Sequence, residues 1–383
     1  VPLVLHRINL TQFRSYDALR LDTGGARMLV LTGANGAGKT NILEAVSLLA
    51  PGRGLRGAGL DALKNRNADA AEQFGVAADI ETAEGHQLRI GTGSVRDGRK
   101  RVVRINGRDA KNQNELAAFM AAVWLTPQMD RLFLDGAALR RKFVDRLVLA
   151  FDPEHAARLN RYEKKLRERL RLLETGGGDA RWLATLESGI AADGIAVAAA
   201  RTDMLLHLEK YIALLATRQN LFPAPSVVMT GDIDACLSAM TALDAEDMFL
   251  RKLQDGRALD GASGRTMFGA HRSDVNVAYA AKQMPAGECS TGEQKGMMLS
   301  IILAHALMMQ AEKGFVPLIL LDEVAAHLDE ARREQLLLQL SALDAQVWLT
   351  GTDAEIFSGL SRDAAFFHVT PAGITAQKKL VAV

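Results

Sequence analysis

Eight consecutive residues, Gly33-Ala34-Asn35-Gly36-Ala37-Gly38-Lys39-Thr40, leave this chain few folds to choose from. They fit the pattern G-x-x-x-x-G-K-[ST], and their flanks fit it as well. Met28-Leu29-Val30-Leu31-Thr32 reads as a buried strand, and Asn41-Ile42-Leu43-Glu44-Ala45-Val46 as the opening of a helix. A glycine-rich loop between strand and helix turns successive backbone N–H groups toward one point, and the helix N-terminus adds a dipole that favours an anion. In that setting Lys39 reaches the β- and γ-phosphates of a nucleoside triphosphate, and the Thr40 hydroxyl ligates Mg²⁺. An ordinary tight turn is the alternative reading, and the strand and helix on either side weigh against it.

The carboxyl-terminal third supplies a counterpart to that loop. Val316-Pro317-Leu318-Ile319-Leu320-Leu321 is an unbroken apolar run, the pattern of a strand buried on both faces of a parallel sheet, and it ends in Asp322-Glu323. An acid at the carboxyl end of a central strand beside a phosphate loop can hold Mg²⁺, which suits Asp322. Glu323, one residue on, is placed to polarise an attacking water as general base. A purely structural Asp-Glu pair is the alternative, and burying two carboxylates without a cation makes it costly. Upstream, Cys289-Ser290-Thr291-Gly292-Glu293-Gln294-Lys295 opens a helix. Ser290 followed by Glu293 is a capping-box pattern, which alone explains part of the segment. Lying ahead of the Asp-Glu strand, the segment also resembles the signature motif of ATP-binding-cassette ATPases. That resemblance implies that the Ser290 hydroxyl and the Gly292 N–H, with Glu293 beside them, meet the γ-phosphate of a nucleotide held by a second subunit. Ala325-Ala326-His327-Leu328-Asp329 resembles the loop that couples the two sites in those enzymes. Gln346-Val347-Trp348-Leu349 reads as another core strand, and Thr350-Gly351-Thr352 stands where many of them place a switch histidine.

The chain has 383 residues, 48% of them apolar, enough for two or three compact units. Its formal charge is only +1, so a nucleic-acid partner must be held by local basic patches. Cys236 and Cys289 are far apart and lack His or Cys neighbours at metal spacing, the pattern of a reduced cytoplasmic protein without a zinc site. No apolar run is read as long enough to span a membrane, and no signal peptide is read ahead of the first strand. Strands are expected at 3–8, 16–21, 73–80, 87–90 and 101–105, the last entering an Asn106-Gly107 turn. From about Leu139 the period becomes helical. Helices are expected over 161–173 and 180–220, an antiparallel pair separated by Gly176-Gly177-Gly178, with Phe222-Pro223-Ala224-Pro225 ending the second and a short strand at 226–229. The stretch 244–264 shows no clear period.

Beyond these motifs the chain resembles the RecF family of bacterial recombination-mediator ATPases. Gln12-Phe13-Arg14-Ser15-Tyr16 resembles that family's Phe-Arg-Asn-Tyr segment, and residues 33–44 its extended phosphate loop, including Asn35, Asn41, Leu43 and Glu44. Arg104-Ile105-Asn106-Gly107-Arg108, Leu125-Thr126-Pro127-Gln128-Met129-Asp130, Leu139-Arg140-Arg141-Lys142-Phe143-Val144-Asp145 and Gly269-Ala270-His271-Arg272-Ser273-Asp274 resemble further family segments, in order and over most of the chain. Cys289 replaces the usual leucine, and Ala326-His327 stands where Ser-Glu is usual.

The resemblance implies an α/β fold, an ABC/SMC-type ATPase head built on a mixed sheet with flanking helices and carrying an inserted helical arm. It divides the chain into an ATPase half at 1–126, the arm at 127–264 and a second ATPase half at 265–383. ATP and Mg²⁺ are the implied ligands, with Arg14 and Asn41 joining residues 33–40 around the nucleotide. Gln128 stands where the family often has an acid, but resembles the glutamine with which cassette ATPases sense the metal, beside Thr40 and Asp322. It implies a weak, DNA-stimulated ATPase that pairs head to tail on ATP, clamps duplex DNA near single-strand gaps and acts in the cytoplasm with RecR, RecO and the recombinase RecA. Arg99, Lys100, Arg101, Arg104 and Arg108, with Arg140, Arg141 and Lys142, are candidate phosphate contacts, solvated faces being the alternative. Aromatic residues make up 5% of the chain, which favours contact with a duplex backbone over base stacking. A mechanical DNA tether and a transporter's nucleotide-binding subunit remain open. The first would carry long coiled coils, and the second would carry a shorter insertion.

Overall fold

The computed structural model describes residues 2–69, 72–95, 100–176, 179–217, 222–325, 328–360 and 364–377. The chain forms two compact units. One comprises Val1–Asp130, Leu215–Pro223 and Ser290–Val383, and the other Arg131–Leu214 and Ala224–Cys289.

The strands in chain order are β1 (Val4–Phe13), β2 (Tyr16–Asp22), β3 (Met28–Thr32), β4 (Gly75–Glu81), β5 (Gln87–Ser94), β6 (Arg101–Ile105), β7 (Arg108–Asp109) and β8 (Ala122–Leu125). After them come β9 (Pro225–Thr230), β10 (Asp274–Tyr279), β11 (Met284–Pro285), β12 (Leu318–Leu321), β13 (Val347–Gly351), β14 (Ala364–Thr370) and β15 (Gly373–Gln377).

The first unit holds two six-stranded sheets. One is antiparallel, in the order β2-β1-β4-β5-β6-β7. Its strands alternate buried and less buried residues, as a sheet with one covered face requires. Two tight hairpins set its register. Phe13 faces Tyr16 across Arg14-Ser15, with Arg14 at φ 54°, and Ile105 faces Arg108 across Asn106-Gly107, both at positive φ, as an Asn-Gly turn prefers.

The other sheet runs β15-β14-β3-β13-β12-β8, with β14 through β8 parallel and β15 antiparallel at the edge. Strands β3, β8, β12 and β13 are buried at every residue, which is why they read as unbroken apolar runs rather than alternating ones. Because they are parallel, their carboxyl ends lie along one edge, where ligands of open α/β sheets bind. The buried Gln346 amide ties the two sheets together. Its oxygen accepts from Leu5 N at 3.0 Å and Trp348 Nε1 at 3.2 Å, and its nitrogen donates to Leu5 O at 3.1 Å and Ala26 O at 3.0 Å.

The second unit is mainly helical. Helices His155–Thr175 and Ala180–Ala216 run antiparallel, joined rung by rung through Arg161–Asp193 at 3.1 Å, Lys165–Asp193 at 2.8 Å and Arg169–Glu187 at 3.0 Å. Gly176, at φ 63°, ends the first of them in the left-handed conformation that glycine adopts without strain. Gly177 and Gly178 of the expected break, and residues 218–220 of the expected helix, lie outside the described residues. The helices close on each other at Gly194, where a Cβ would sit 2.6 Å from Phe249 Cε1 and 2.8 Å from Tyr162 Cε2.

One expectation needs correcting. By length and composition, Ala180–Ala216 is a helix that could cross a membrane. Its apolar residues Ile190, Ala191, Ile195, Val197 and Ala198 instead pack with Tyr162, Ile233, Phe249 and Leu253 in the core of this unit, and it carries Glu187, Asp193 and Arg201 in ion pairs.

The stretch 244–264 resolves into helices Ala242–Asp255 and Arg257–Ser263, the first capped by Thr241, whose side chain accepts from Asp244 N. The second unit also runs on past residue 264, to Cys289, because β10 pairs antiparallel with β9 along its whole length.

Candidate nucleotide site

All the sequence-derived site residues lie in the first unit, and most of them gather at the carboxyl edge of the parallel sheet. The loop leaving β3 needs its glycines. Gly33, Gly36 and Gly38 have φ of 144°, 80° and 108°, and a Cβ would lie 2.3 Å from Val369 O at Gly33 and 2.3 Å from Tyr16 Oη at Gly38. Ala34, Asn35 and Ala37 complete the loop, and helix Lys39–Leu48 starts directly after Gly38. Lys39 is 3% exposed, and its Nζ donates to Gly33 O at 2.6 Å and Ala34 O at 3.0 Å, folding the ammonium back over the loop. Burial pushes that ammonium below its ordinary value, and Glu323 and Asp322 pull it back up.

Strand β12 delivers the acids. Thr40 Oγ1 donates to Asp322 Oδ2 at 2.8 Å, so the first helix of the unit and the strand two places across the sheet meet at one point. Strand β13, between β3 and β12, contributes Thr350. Its hydroxyl donates to Asp322 Oδ1 at 2.7 Å and accepts from Glu323 N at 2.8 Å. Glu323 has φ 53°, a left-handed conformation that costs a non-glycine residue about 1 kcal/mol or more and is here held by that N–H. Its carboxylate lies 3.9 Å from Lys39 Nζ.

The donors are a hydroxyl and a carboxylate, all oxygen, and no ready cage of three or more His, Cys, Asp or Glu forms among the described residues. That set suits Mg²⁺, which is held by one or two carboxylates together with substrate phosphates. The loop, which any Cβ at Gly33 or Gly38 would fill, suits the phosphates themselves.

Gln128 sits exposed on the turn Pro127–Arg131 that follows β8, and among the described residues it makes no hydrogen bond to Thr40 or Asp322. Arg14 forks onto Glu44, with Nε to Oε2 at 2.7 Å and Nη2 to Oε1 at 2.6 Å. Glu44 is 1% exposed and shares Oε2 with Arg56, whose Nη1 also reaches Asn41 Oδ1 at 2.9 Å, while Asn41 Nδ2 donates to Ser15 Oγ at 2.9 Å. Arg14 and Asn41 therefore frame the first helix through Glu44, and Arg56 is a member of this frame that sequence reasoning missed. Tyr16 was missed too. Its buried phenol hydroxyl backs onto Gly38 and has no hydrogen-bond partner among the described residues, and burial pushes its pKa upward.

The signature segment caps helix Thr291–Lys313. Glu293 N donates to Ser290 Oγ at 3.3 Å, and Ser290 N donates to Glu293 Oε2 at 3.0 Å, the reciprocal box its sequence predicts. Gly292 lies against the next helix, Glu330–Ala342, where a Cβ would come within 3.3 Å of Arg332 Nη1. Among the described residues no hydrogen bond connects Ser290 or Gly292 with the phosphate loop. Asp329 caps Glu330–Ala342 by accepting from Arg332 N at 2.9 Å, while Ala326 and His327 lie outside the described residues.

The RecF/RecN/SMC N terminal domain family matches residues 4–374. The chain is 45% identical over 367 residues to the DNA replication and repair protein RecF of Mesorhizobium japonicum, covering 95% of this chain and 96% of that one. The chain belongs to the RecF family.

RecF of Brucella suis is 42% identical over 372 residues, 97% of this chain and 96% of that one. In fold, the chain matches the structure of the recombination mediator protein RecF-ATPrS of the RecFOR pathway, with a TM-score of 0.84 at 22% identity over 98% of this chain and 99% of that one. It also matches an Smc head bound to the C-winged helix domain of ScpA, with a TM-score of 0.56 at 14% identity over 98% of both chains. The architecture is thus the SMC/RecF ATPase head, as expected from the sequence.

The basic candidates divide on inspection. Arg101 is held inside the first unit by Gly52 O, Thr92 Oγ1 and Leu48 O, and burial drags its guanidinium down to about 10. It is a structural anchor, not a surface contact. Arg140 forks onto Asp274 with both bonds at 2.8 Å. Lys100, Arg104, Arg108 and Lys142 are exposed, and Arg99 lies outside the described residues.

Proposed function

We infer that this protein is an ATP-driven DNA clamp of recombinational repair: it binds ATP and Mg²⁺ at the β3 loop, pairs with a second copy on ATP, holds duplex DNA near single-strand gaps and releases it on hydrolysis. The observation that carries the reading is the meeting of Lys39, Thr40, Asp322 and Glu323 at one sheet edge, with Thr40 Oγ1 2.8 Å from Asp322 and Lys39 Nζ 3.9 Å from Glu323.

Each residue has a distinct task. The loop N–H groups and the Lys39 ammonium take the β- and γ-phosphate charge. Thr40 and Asp322, with Gln128, would hold Mg²⁺, which when bound neutralises phosphate oxygens. Glu323 accepts the proton of the attacking water, its backbone fixed by Thr350. Among the described residues Ser290 and Gly292 have no hydrogen bond to their own loop, which supports a role toward a second copy's γ-phosphate; loss of that phosphate then removes what they hold. Family membership supports the DNA role, the cytoplasmic setting and the partners RecO, RecR and RecA, and it supports weak ATP turnover that duplex DNA stimulates.

Duplex binding by Lys39→Arg beside Glu323→Gln tests the reading. The first variant should clamp weakly and the second should form a long-lived clamp. A monomer mass by light scattering under saturating ATP, or unchanged turnover in Glu323→Gln, overturns it.

A further inference from the structure

The segment Gly269-Ala270-His271-Arg272-Ser273-Asp274 has no part in the nucleotide site, yet the second unit arranges charge around it with care. Arg201 donates from Nη1 to Ala270 O at 2.7 Å, and Arg141 donates from Nη1 to Ser273 O at 2.6 Å. Two guanidiniums thus grip the carbonyls on either side of His271-Arg272. The turn between them is closed by Arg272 N to Gly269 O at 2.8 Å. His271 is fixed at both ring nitrogens, by Tyr162 Oη at 2.8 Å and Thr266 O at 2.9 Å. Ser273 is buried, and Arg272 points to the exposed side.

The charges here do not balance. Arg201 forks onto Asp145 at 2.7 and 2.8 Å, and Asp145 also bonds His155 at 2.8 Å. Arg140 takes both oxygens of Asp274. Asp234, buried near Ser273, is pushed by burial toward its protonated form, which weakens it as a counter-charge. The hydrogen bonds of Asp145 and Asp274 therefore go to Arg201 and Arg140 rather than to Arg141 or Arg272. Among the described residues Arg141 and Arg272 form no ion pair, and Arg141 spends its hydrogen bond on the Ser273 carbonyl. Burial first, then Arg201 and more weakly Arg272, push the Arg141 guanidinium below its ordinary value, against a partial upward pull from Asp145 and Asp274.

Two guanidiniums without an ion pair among the described residues, Arg272 on the clamped turn and Arg141 reaching that turn's Ser273 carbonyl from helix Ala137–Phe151, make a site for an anion with several acceptor oxygens. We propose that Arg272 and Arg141 bind a phosphodiester group of the DNA backbone, with Arg201, His271 and Tyr162 holding the turn that presents Arg272. The proposal rests on the duplex-binding reading above and assigns it a contact in the second unit. Exposed Lys142, next to Arg141 in helix Ala137–Phe151, can add a further phosphate contact.

The test measures duplex affinity with ATP over a series of salt concentrations for the full chain and for Arg272→Ala, Arg272→Lys and Arg141→Gln. Removing one phosphate contact lowers the slope of log K against log salt by about 0.9 and weakens binding at fixed salt by about three- to tenfold. Arg272→Ala and Arg141→Gln should both do so, with ATP turnover in the absence of DNA unchanged, and Arg272→Lys should restore most of the affinity. If Arg141→Gln unfolds, the exposed Arg272 pair decides alone. A wild-type chain that binds duplex with a steep salt slope, beside an Arg272→Ala variant of equal affinity and slope, overturns this inference and leaves the clamp reading standing. A wild-type chain that binds no duplex overturns both.

Discussion

Thr350 Oγ1 stands 2.7 Å from Asp322 Oδ1 and takes its second hydrogen bond from the backbone of Glu323. One buried hydroxyl thus sets the direction of Asp322, the proposed metal-binding acid, and the left-handed backbone of Glu323, the proposed general base. Thr350→Val keeps the shape and removes the bond. Nucleotide affinity should change by less than about threefold, because the phosphate loop is untouched. Turnover should fall by about tenfold or more, the equivalent of one lost hydrogen bond of about 1.4 kcal/mol in the transition state. Thr350→Ser should restore it. Single-turnover ATP hydrolysis beside equilibrium binding of a fluorescent nucleotide separates the two effects.

The glycines of the phosphate loop are not equivalent. A Cβ at Gly38 meets the buried Tyr16 hydroxyl at 2.3 Å and sits at φ 108°, whereas at Gly36 it meets nothing within 4 Å and only φ 80° opposes it. Gly38→Ala should cost about 2 kcal/mol or more of stability and abolish nucleotide binding. Gly36→Ala should cost about 1 kcal/mol. Thermal melting of the two variants with and without ATP orders them; equal melting points would contradict the difference.

In the second unit Arg169 is wholly buried. It donates to Glu187 at 3.0 Å, Asp260 at 2.7 Å, Thr266 at 3.2 Å and Leu253 O at 2.6 Å. Arg169→Met leaves Asp260 without its cation. It should destabilise this unit by about 3–5 kcal/mol, the range for breaking a buried pair by removing one partner. Urea denaturation reads the loss as a lowered midpoint.

Acid should act on the same unit through Asp145. Burial pushes its carboxyl up, but hydrogen bonds from His155 and Arg201 outweigh that and bring it below the usual carboxylate range. A depressed folded value means that its stabilisation is complete above the unfolded value of about 4 and is lost as pH falls below that toward the folded one. Asp145→Asn should therefore melt lower than wild type at pH 7 and close that gap as the pH drops toward 3. Melting curves across that range provide the check.

Much of the site was legible because its signals are local. Residues 33–40 need their glycines whatever surrounds them, since three take φ values that favour glycine, and the run 316–321 is apolar throughout because β12 is covered on both faces. The Ser290–Glu293 box and the Asn106-Gly107 turn are likewise settled within four residues of chain. Helix Ala242–Asp255 did carry a signal that sequence reasoning missed, since its buried Ala245, Phe249 and Leu253 recur every four residues, whereas in Arg257–Ser263 the only apolar side chain longer than alanine, Leu259, is exposed.

The sequence by itself determined that a phosphate cradle and an Asp-Glu strand exist, because each rests on residues adjacent in the chain. Only the tertiary structure decided how they join. Parallel pairing sets β13 between β3 and β12, so Thr350 reaches Asp322 from 28 residues away and Thr40 reaches it from 282. The same holds for charge. Arg101 and Arg140 read as basic surface, yet one is half-buried and held by backbone carbonyls and the other is bound to Asp274, while Arg272 is exposed and forms no ion pair among the described residues. Which cations keep their charge for a partner depends on where the carboxylates fall in space, and no spacing along the chain records that.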